Sequence, residues 1–232
     1  MANQVTLSDG RIAGILDDSV LDAYNESVKQ YNSERARSSL GKFSRSNGEL
    51  TGSSPLMIIQ LVNSGCLPEG TSIANREDLA DSISKDDFFL RNRYVDLGLA
   101  LRTAGDSYEP NDLLAKRLVK QLEQRDIQLE NGKLIYLDAL FLEEDKNSTY
   151  GLVINLKEGA ESTIRDLADF NWDYARNEGL SRAVLDRSWD WNSDSEHLAD
   201  SYGGGRVVGV SGEASSQKIS SKKGELYTIQ EL

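Results

Sequence analysis

Between residues 110 and 156 the spacing of apolar positions changes period, and the change predicts a helix, a hairpin and a further strand. Leu114, Ala115, Leu118, Val119 and Leu122 recur at three- and four-residue steps and share one helical face, with Lys116, Arg117, Lys120 and Gln124 on the other. Pro110 suits the first turn of this helix, where its missing N–H leaves no bond unmade, and Asp112 complements the helix's positive end. After Arg125, Ile127 and Leu129 alternate with Gln128 and Glu130, and Asn131-Gly132 follows. That dipeptide accepts the positive φ angles of a type I′ turn, so residues 133–142 are expected as the return strand. Residues 143–149 are polar and read as a loop, and residues 150–156 as another strand.

Toward the N-terminus, residues 5–7 and 11–13 flank Asp9-Gly10, a second hairpin signal. Leu16, Val20, Tyr24, Val28 and Tyr31 then mark a helix ending near Arg37. Residues 38–54 are rich in Ser and Gly and lack a period, which predicts a flexible linker. Pro55 opens a helix that is apolar nearly all round and is closed by Gly65. Asn75 caps a short helix, and Asp86 or Asp87 begins a longer one carrying Phe89, Tyr94, Val95, Leu97, Leu99 and Leu101 up to Gly105. A helix is also expected over residues 159–178, from Ile164, Leu167, Ala168, Trp172 and Ala175. Residues 180–191 fit a short helix or a strand equally, residues 206–211 a strand, and residues 226–229 a last edge strand in a mobile tail.

These elements predict an α+β fold, with a helical layer (55–125) on a mostly antiparallel sheet built from residues 127–156 and the C-terminal strands. The expected organisation is an N-terminal hairpin and helix arm (1–37), a flexible linker (38–54) and a main domain (55–232), whose segment 127–212 carries the sheet and a helix and whose end (213–232) is a mobile tail.

Composition narrows the functional classes. The 232 residues carry a net charge of −12, so general adhesion to phosphate backbones or anionic membranes is disfavoured. Arg35, Arg37, Lys42 and Arg45 form a small basic island that reads as a solvated loop or a phosphate-contacting arm. One Cys and one His exclude an intramolecular disulfide and the common Cys/His zinc sites. No basic stretch followed by an apolar core opens the chain, and no apolar run reaches the roughly 20 residues of a spanning helix. The expectation is an acidic, soluble, cytoplasmic protein without membrane contact.

Candidate chemistry is sparse. Asp190, Asn192, Asp194 and Glu196 place oxygen ligands at every second residue and His197 follows, a pattern that can wrap a divalent cation. It departs from an EF-hand loop at the sixth position, Ser195, and at the twelfth, Ser201. His197 is the one histidine through which imidazole acid–base chemistry would pass. Gly209-Val210-Ser211-Gly212 is one spacing short of a nucleophile elbow, and three S-x-x-K matches in a Ser-rich chain carry no weight. Trp172, Trp189 and Trp191, with Tyr174 and Tyr202, read as core packing or a ligand-facing cluster. No cofactor-binding residues are expected.

Three functional readings follow. The first is a non-enzymatic binding or regulatory protein that meets a protein partner, or a second copy, through the apolar stripe of the N-terminal helix. The second is a winged-helix DNA-binding protein, with residues 110–125 as recognition helix presenting Lys116, Arg117 and Lys120 and the Asn131-Gly132 hairpin as wing. The third is a metal-dependent enzyme centred on residues 186–200.

Overall fold

A computed structural model describes residues 2–103, 105 and 107–214, and they form a mixed α+β structure. The Asp9-Gly10 turn joins β1 (Ala2–Thr6) to β2 (Ile12–Ile15) as its sequence predicts. α1 (Leu21–Lys29) and α2 (Glu34–Leu40) follow, then the hairpin β3 (Ser44–Ser46) and β4 (Glu49–Thr51). α3 (Pro55–Asn63), β5 (Thr71–Ile73), α4 (Arg76–Lys85), β6 (Tyr94–Arg102) and α5 (Asp112–Glu123) come next. The remainder is β7 (Lys133–Tyr136), β8 (Leu140–Glu144), β9 (Leu152–Leu156), β10 (Arg165–Asp166), β11 (Tyr174–Ala175), β12 (Gly179–Leu185), β13 (Trp191–Ser193), β14 (Gly205–Arg206) and β15 (Val208–Ser211). One sheet has the order β10-β7-β6-β12-β13-β11, with β14 parallel to the start of β6, and a second has the order β1-β2-β15-β5. β3–β4 and β8–β9 are separate hairpins.

The segment expected as a helix over residues 86–104 is largely β6, the central strand of the larger sheet. Every residue from Tyr94 to Leu101 is buried, and a strand covered on both faces has no polar alternation by which to recognise it. A bulge adds to the disguise. Ala183 pairs with Gly98 and Val184 with Asp96, so Leu97 is an extra residue on β6. Across it the faces exchange: Val95 and Leu97 pack with residues of β1, β2 and β15, whereas Leu99 and Leu101 pack with α3 and α5.

At the bulge a buried ion pair crosses from β6 to β12. Arg182 donates from Nε to Asp96 Oδ1 at 2.8 Å and from Nη2 to Oδ2 at 2.9 Å, and Ser53 Oγ donates to Oδ2 at 3.0 Å. Asp96 is fully buried, and Arg182 Nη1 reaches on to the carbonyl of Asp200 at 3.0 Å.

Residues 1–37 and 38–54 are neither arm nor linker. β2 is a central strand, paired with β1 and β15. The single helix expected up to residue 37 is two, because Ser33 is extended and its hydroxyl accepts the Ala36 N–H that starts α2. Tyr24 is fully buried, donates to the Leu40 carbonyl at 2.7 Å and meets Phe43 edge-on. Leu40, Phe43 and Leu50 share a core with α3 and α5. The Ser- and Gly-rich stretch that resembled a linker holds tight turns, with Asn47, Gly48 and Gly52 all at positive φ.

Two further expectations are corrected. The turn at Asn131-Gly132 forms, with φ of 63° and 75°, but residues 127–130 make no strand, and β7 lies between β6 and β10 instead of forming a wing. Gly132 is needed for space as well as angle: a Cβ there would sit 2.9 Å from the Leu101 carbonyl oxygen. Residues 159–178 are two 3-10 turns and the short strands β10 and β11, with Ile164, Asp166 and Phe170 extended between them. Residues 180–191 resolve as strand over β12, and residues 206–211 as β14 and β15. The strand expected at 226–229, and the tail beyond residue 214, lie outside the described residues.

The Asp96–Arg182 pair generates a prediction. Asp96→Ala leaves Arg182 buried and uncompensated and should lower unfolding free energy by about 3–5 kcal/mol, whereas Asp96→Leu combined with Arg182→Met should lose less than the two single changes together. Denaturant melts of the four variants and the native chain measure this.

Candidate binding groove

A groove of about 1210 Å3 runs between α1, the end of α3 and β8. Its inner wall is set by α3, which Ser54 caps by accepting the Met57 N–H and which Pro55 begins. Gln60 is the polar residue in the otherwise apolar buried stretch of that helix. It is held from both sides, accepting from Tyr31 Oη at 2.6 Å and donating to Ser27 Oγ at 3.1 Å. Burial, with Glu144 nearby, pushes the Tyr31 phenol up to about 12. Ser64 and Cys66 follow the helix end, their Oγ and Sγ 2.8 Å apart, and the thiol is free and half-buried.

The opposite wall is β8. Lys157 N–H donates to the Ala139 carbonyl and Asp145 N–H to that of Gly151, which fixes the odd-numbered residues of β8 as those bonded to β9. The even-numbered residues therefore turn their N–H and C=O groups away from β9. The Leu140 carbonyl is taken by Asn63 Nδ2 at 2.7 Å. The outward backbone groups of Leu142 and Glu144 have no partner among the described residues. β9 is buried along its length with α5 packed beside it, and its last residue is bonded there: Leu156 N–H donates to Gln121 Oε1 at 2.7 Å and Arg125 reaches the Leu156 carbonyl.

The groove's ends are tied. Glu144 Oε1 accepts the Ser33 N–H at 2.6 Å and Oε2 accepts from Asn32 Nδ2 at 3.1 Å, which holds its carboxyl below the usual range. Glu26, Glu143, Glu144 and Lys157 line the opening, three acids against one amine. Burial lowers the Lys157 amine, and Asp138 beside it opposes that shift; burial also raises the Asp138 carboxyl.

The structure does not gather the acidic segment into one site. Asp190 N–H donates to Asp186 Oδ1, and burial together with Asp186 and Asp173 raises its carboxyl. Asn192 Oδ1 accepts the Asp194 N–H at 2.9 Å, Glu196 pairs with Arg176 at 2.5 Å, and His197 is exposed. No group of three or more His, Cys, Asp or Glu side chains among the described residues is placed to hold a metal ion. Of the basic face on α5, Lys116 pairs with Asp112 at 3.0 Å and Arg117 binds Asn155 and Glu143 at 2.7 and 2.9 Å, while Lys120 is exposed. In the basic island Arg35 and Arg37 bond to backbone carbonyls and Arg45 pairs with Asp18 and Asp22. The stripe of the N-terminal helix is turned inward: Leu16, Val20 and Tyr24 are buried, Val28 packs on the same core, and Tyr31 packs there while also lining the groove. Trp172, Trp189 and Trp191 pack against the core under β1 and β2, and the Arg76 guanidinium lies between Phe170 and Trp191, 4.7 and 4.5 Å from their rings.

The groove residues escape sequence reasoning because three distant segments supply them. Gln60 and Asn63, two amides in a helix too apolar to face water, are the signal that was there. No helix among the described residues is long and apolar enough to cross a membrane. Comparison with protein families, curated proteins and solved structures finds no match for this chain.

Tyr31 sets a pH dependence. A tyrosine in the unfolded chain ionises near 10, so the folded state holds the proton more tightly, and the stability this contributes is fully present below about pH 10 and lost as pH rises toward 12. Denaturant midpoints should fall over that window, and Tyr31→Phe should reduce the fall, leaving the part due to Tyr24, Tyr94, Tyr136 and Tyr150, whose phenols burial also raises. At neutral pH the same variant leaves Gln60 Oε1 without its donor and should cost about 1–3 kcal/mol. An unchanged slope in Tyr31→Phe would refute the assignment.

Proposed function

We propose that this chain is a non-enzymatic binding protein that takes an extended basic peptide segment into the groove, as an added strand on β8. The observation that carries the reading is the unpartnered outer edge of β8, where Leu142 and Glu144 direct backbone donors and acceptors into an open groove. Main-chain bonds of this kind supply affinity in strand addition, and pockets beside alternate residues supply preference. Charge supports the choice of partner through the whole chain's −12, which favours approach of a cationic segment; of the lining carboxylates, Glu26 pairs with Lys29 and Glu143 with Arg117, and Glu144 carries no ion pair among the described residues. The polar floor of Ser27, Gln60 and Tyr31 suits a partner with hydrogen-bonding side chains more than an amphipathic helix.

The test uses two labelled seven-residue peptides, one alternating Lys with Val and the other alternating Glu with Val, and reads polarisation and amide hydrogen exchange. The basic peptide should bind and slow exchange at Leu142 and Glu144, and the acidic one should do neither. Leu142→Pro removes the N–H that faces the groove and leaves the ladder to β9 intact, so binding should fall at least about tenfold, the worth of one or two main-chain bonds. Glu26→Lys, an exposed change, should weaken binding without altering the melting temperature. Equal binding of both peptides, or binding with no protection at those two amides, sinks the reading.

A further inference from the structure

We propose that this chain's own residues 218–223 occupy the groove while no partner is bound, an assignment that rests on β8 taking an added basic strand. Lys218, Lys222 and Lys223 fall within that segment, and no acidic residue stands between Ala214 and Gly224. Ile219, Ser220 and Ser221 separate the lysines, and no proline interrupts residues 215–223, so every N–H that a strand ladder draws on is present. The segment has the chemistry proposed for an outside partner, a cationic stretch with hydroxyls for the polar floor of Ser27, Gln60 and Tyr31.

The described chain ends near the edge this segment would cover. Ser211, the last residue of β15, pairs with Thr71 at the start of β5. β5 packs beside the 3-10 turn Leu137–Ala139, which leads into β8. Paired Cα atoms lie about 5 Å apart and a strand advances about 3.3 Å per residue, so this route puts Leu142 roughly 40 Å or less from Ser211. Residues 218–223 stand seven to twelve positions beyond Ser211 and, extended, reach about 23–40 Å.

The edge takes a short ladder. Asn63 already holds the Leu140 carbonyl, so an added strand meets Leu142 and Glu144 only. Two such residues span about 7 Å of strand, which six residues cover with a lysine at either end. Glu144, whose carboxylate has no ion pair among the described residues, ends that ladder and can meet one of them. A short tether gives an effective concentration on the order of 1 mM. A segment whose free peptide binds with a Kd of about 0.1 mM then fills the groove about nine-tenths of the time and weakens an outside peptide about tenfold.

The experiment compares the full native chain with the full chain carrying Ile219→Pro and Ser220→Pro. Consecutive prolines remove an N–H from either alternation of the segment and leave its charge unchanged. Binding of the labelled Lys/Val peptide is read by polarisation, and the Leu142 and Glu144 amides by hydrogen exchange with no peptide added. The variant should bind the peptide about tenfold more tightly and exchange both amides about tenfold faster, while the amides bonded between β8 and β9 keep their native rates. A second variant, with Lys218, Lys222 and Lys223 all changed to Gln, should move both readings the same way. Equal peptide binding by native chain and variants, or unchanged exchange at the two amides, overturns the occupant and leaves the groove standing. Peptide binding by none of them overturns the groove, and this occupant with it. Protection that fades as the native chain is diluted assigns the groove to a second copy's segment and overturns the intramolecular assignment.

Discussion

The paired carboxylate and guanidinium of Asp96 and Arg182 constrain the rest of this fold. Both groups are nearly sealed from water, so each depends on the other to offset its lost hydration, and the two strands that carry them must stay in one register. That register contains the bulge at Leu97, which sets which apolar residues of β6 face α3 and α5 and which face β2 and β15. The same pair reaches beyond the sheet: Ser53 bonds to Asp96 one residue before the cap of α3, and Arg182 bonds to the carbonyls of His197 and Asp200. The position of α3, and with it the inner wall of the groove, is thereby tied to the centre of the larger sheet.

A second buried carboxylate does for the smaller sheet what Asp96 does for the larger. Glu49, on β4, receives Arg93, Arg206 and Asn3 at 3.0, 2.8 and 2.6 Å. These groups come from the approach to β6, from β14 and from β1, so one side chain joins the N-terminal hairpin to the C-terminal strands. Segments remote in sequence share their hydrogen-bonding requirements here, and neither could leave without exposing an uncompensated charge. This is why the first fifty residues are core and not an appendage.

The elements legible in the sequence were those with one-sided burial or with a marked boundary. α5 shows a stripe because one face meets β9 and β12, and its expected boundaries hold to within about two residues. α3 announces itself through Pro55 and Gly65, α4 through its cap at Asn75, and the Asp9-Gly10 hairpin through its turn. β6 was illegible because both faces are covered and its bulge breaks the period of two. The residues from 133 to 142 read as one strand because the 3-10 turn at Leu137–Ala139 contains no glycine or proline to mark it. Missing that break hid β8 and its free edge. The groove was beyond reach for a related cause: Gln60 is unusual only once Ser27 and Tyr31 are known to lie beside it.

The way this fold treats its other sheet edges gives the β8 edge its meaning. Exposed strand edges invite unwanted pairing, and proteins blunt them by shortness, bulges, charge or cover. β10 and β11 have two residues each, β3 and β5 three. β1 is longer, but its register shifts between Ala2 and Gln4, with Asn3 at φ 45°, and α4 packs beside it. β9 is buried from end to end, with α5 packed beside it. β8 has five residues in unbroken register, and its outer edge faces the groove. Its one defence is charge, at Glu143 and Glu144. Two such edges from separate copies would bring like charges together, so the acids oppose self-pairing, and on the proposed reading they leave a cationic strand free to enter. On that reading the same two residues that protect the edge also select what can use it.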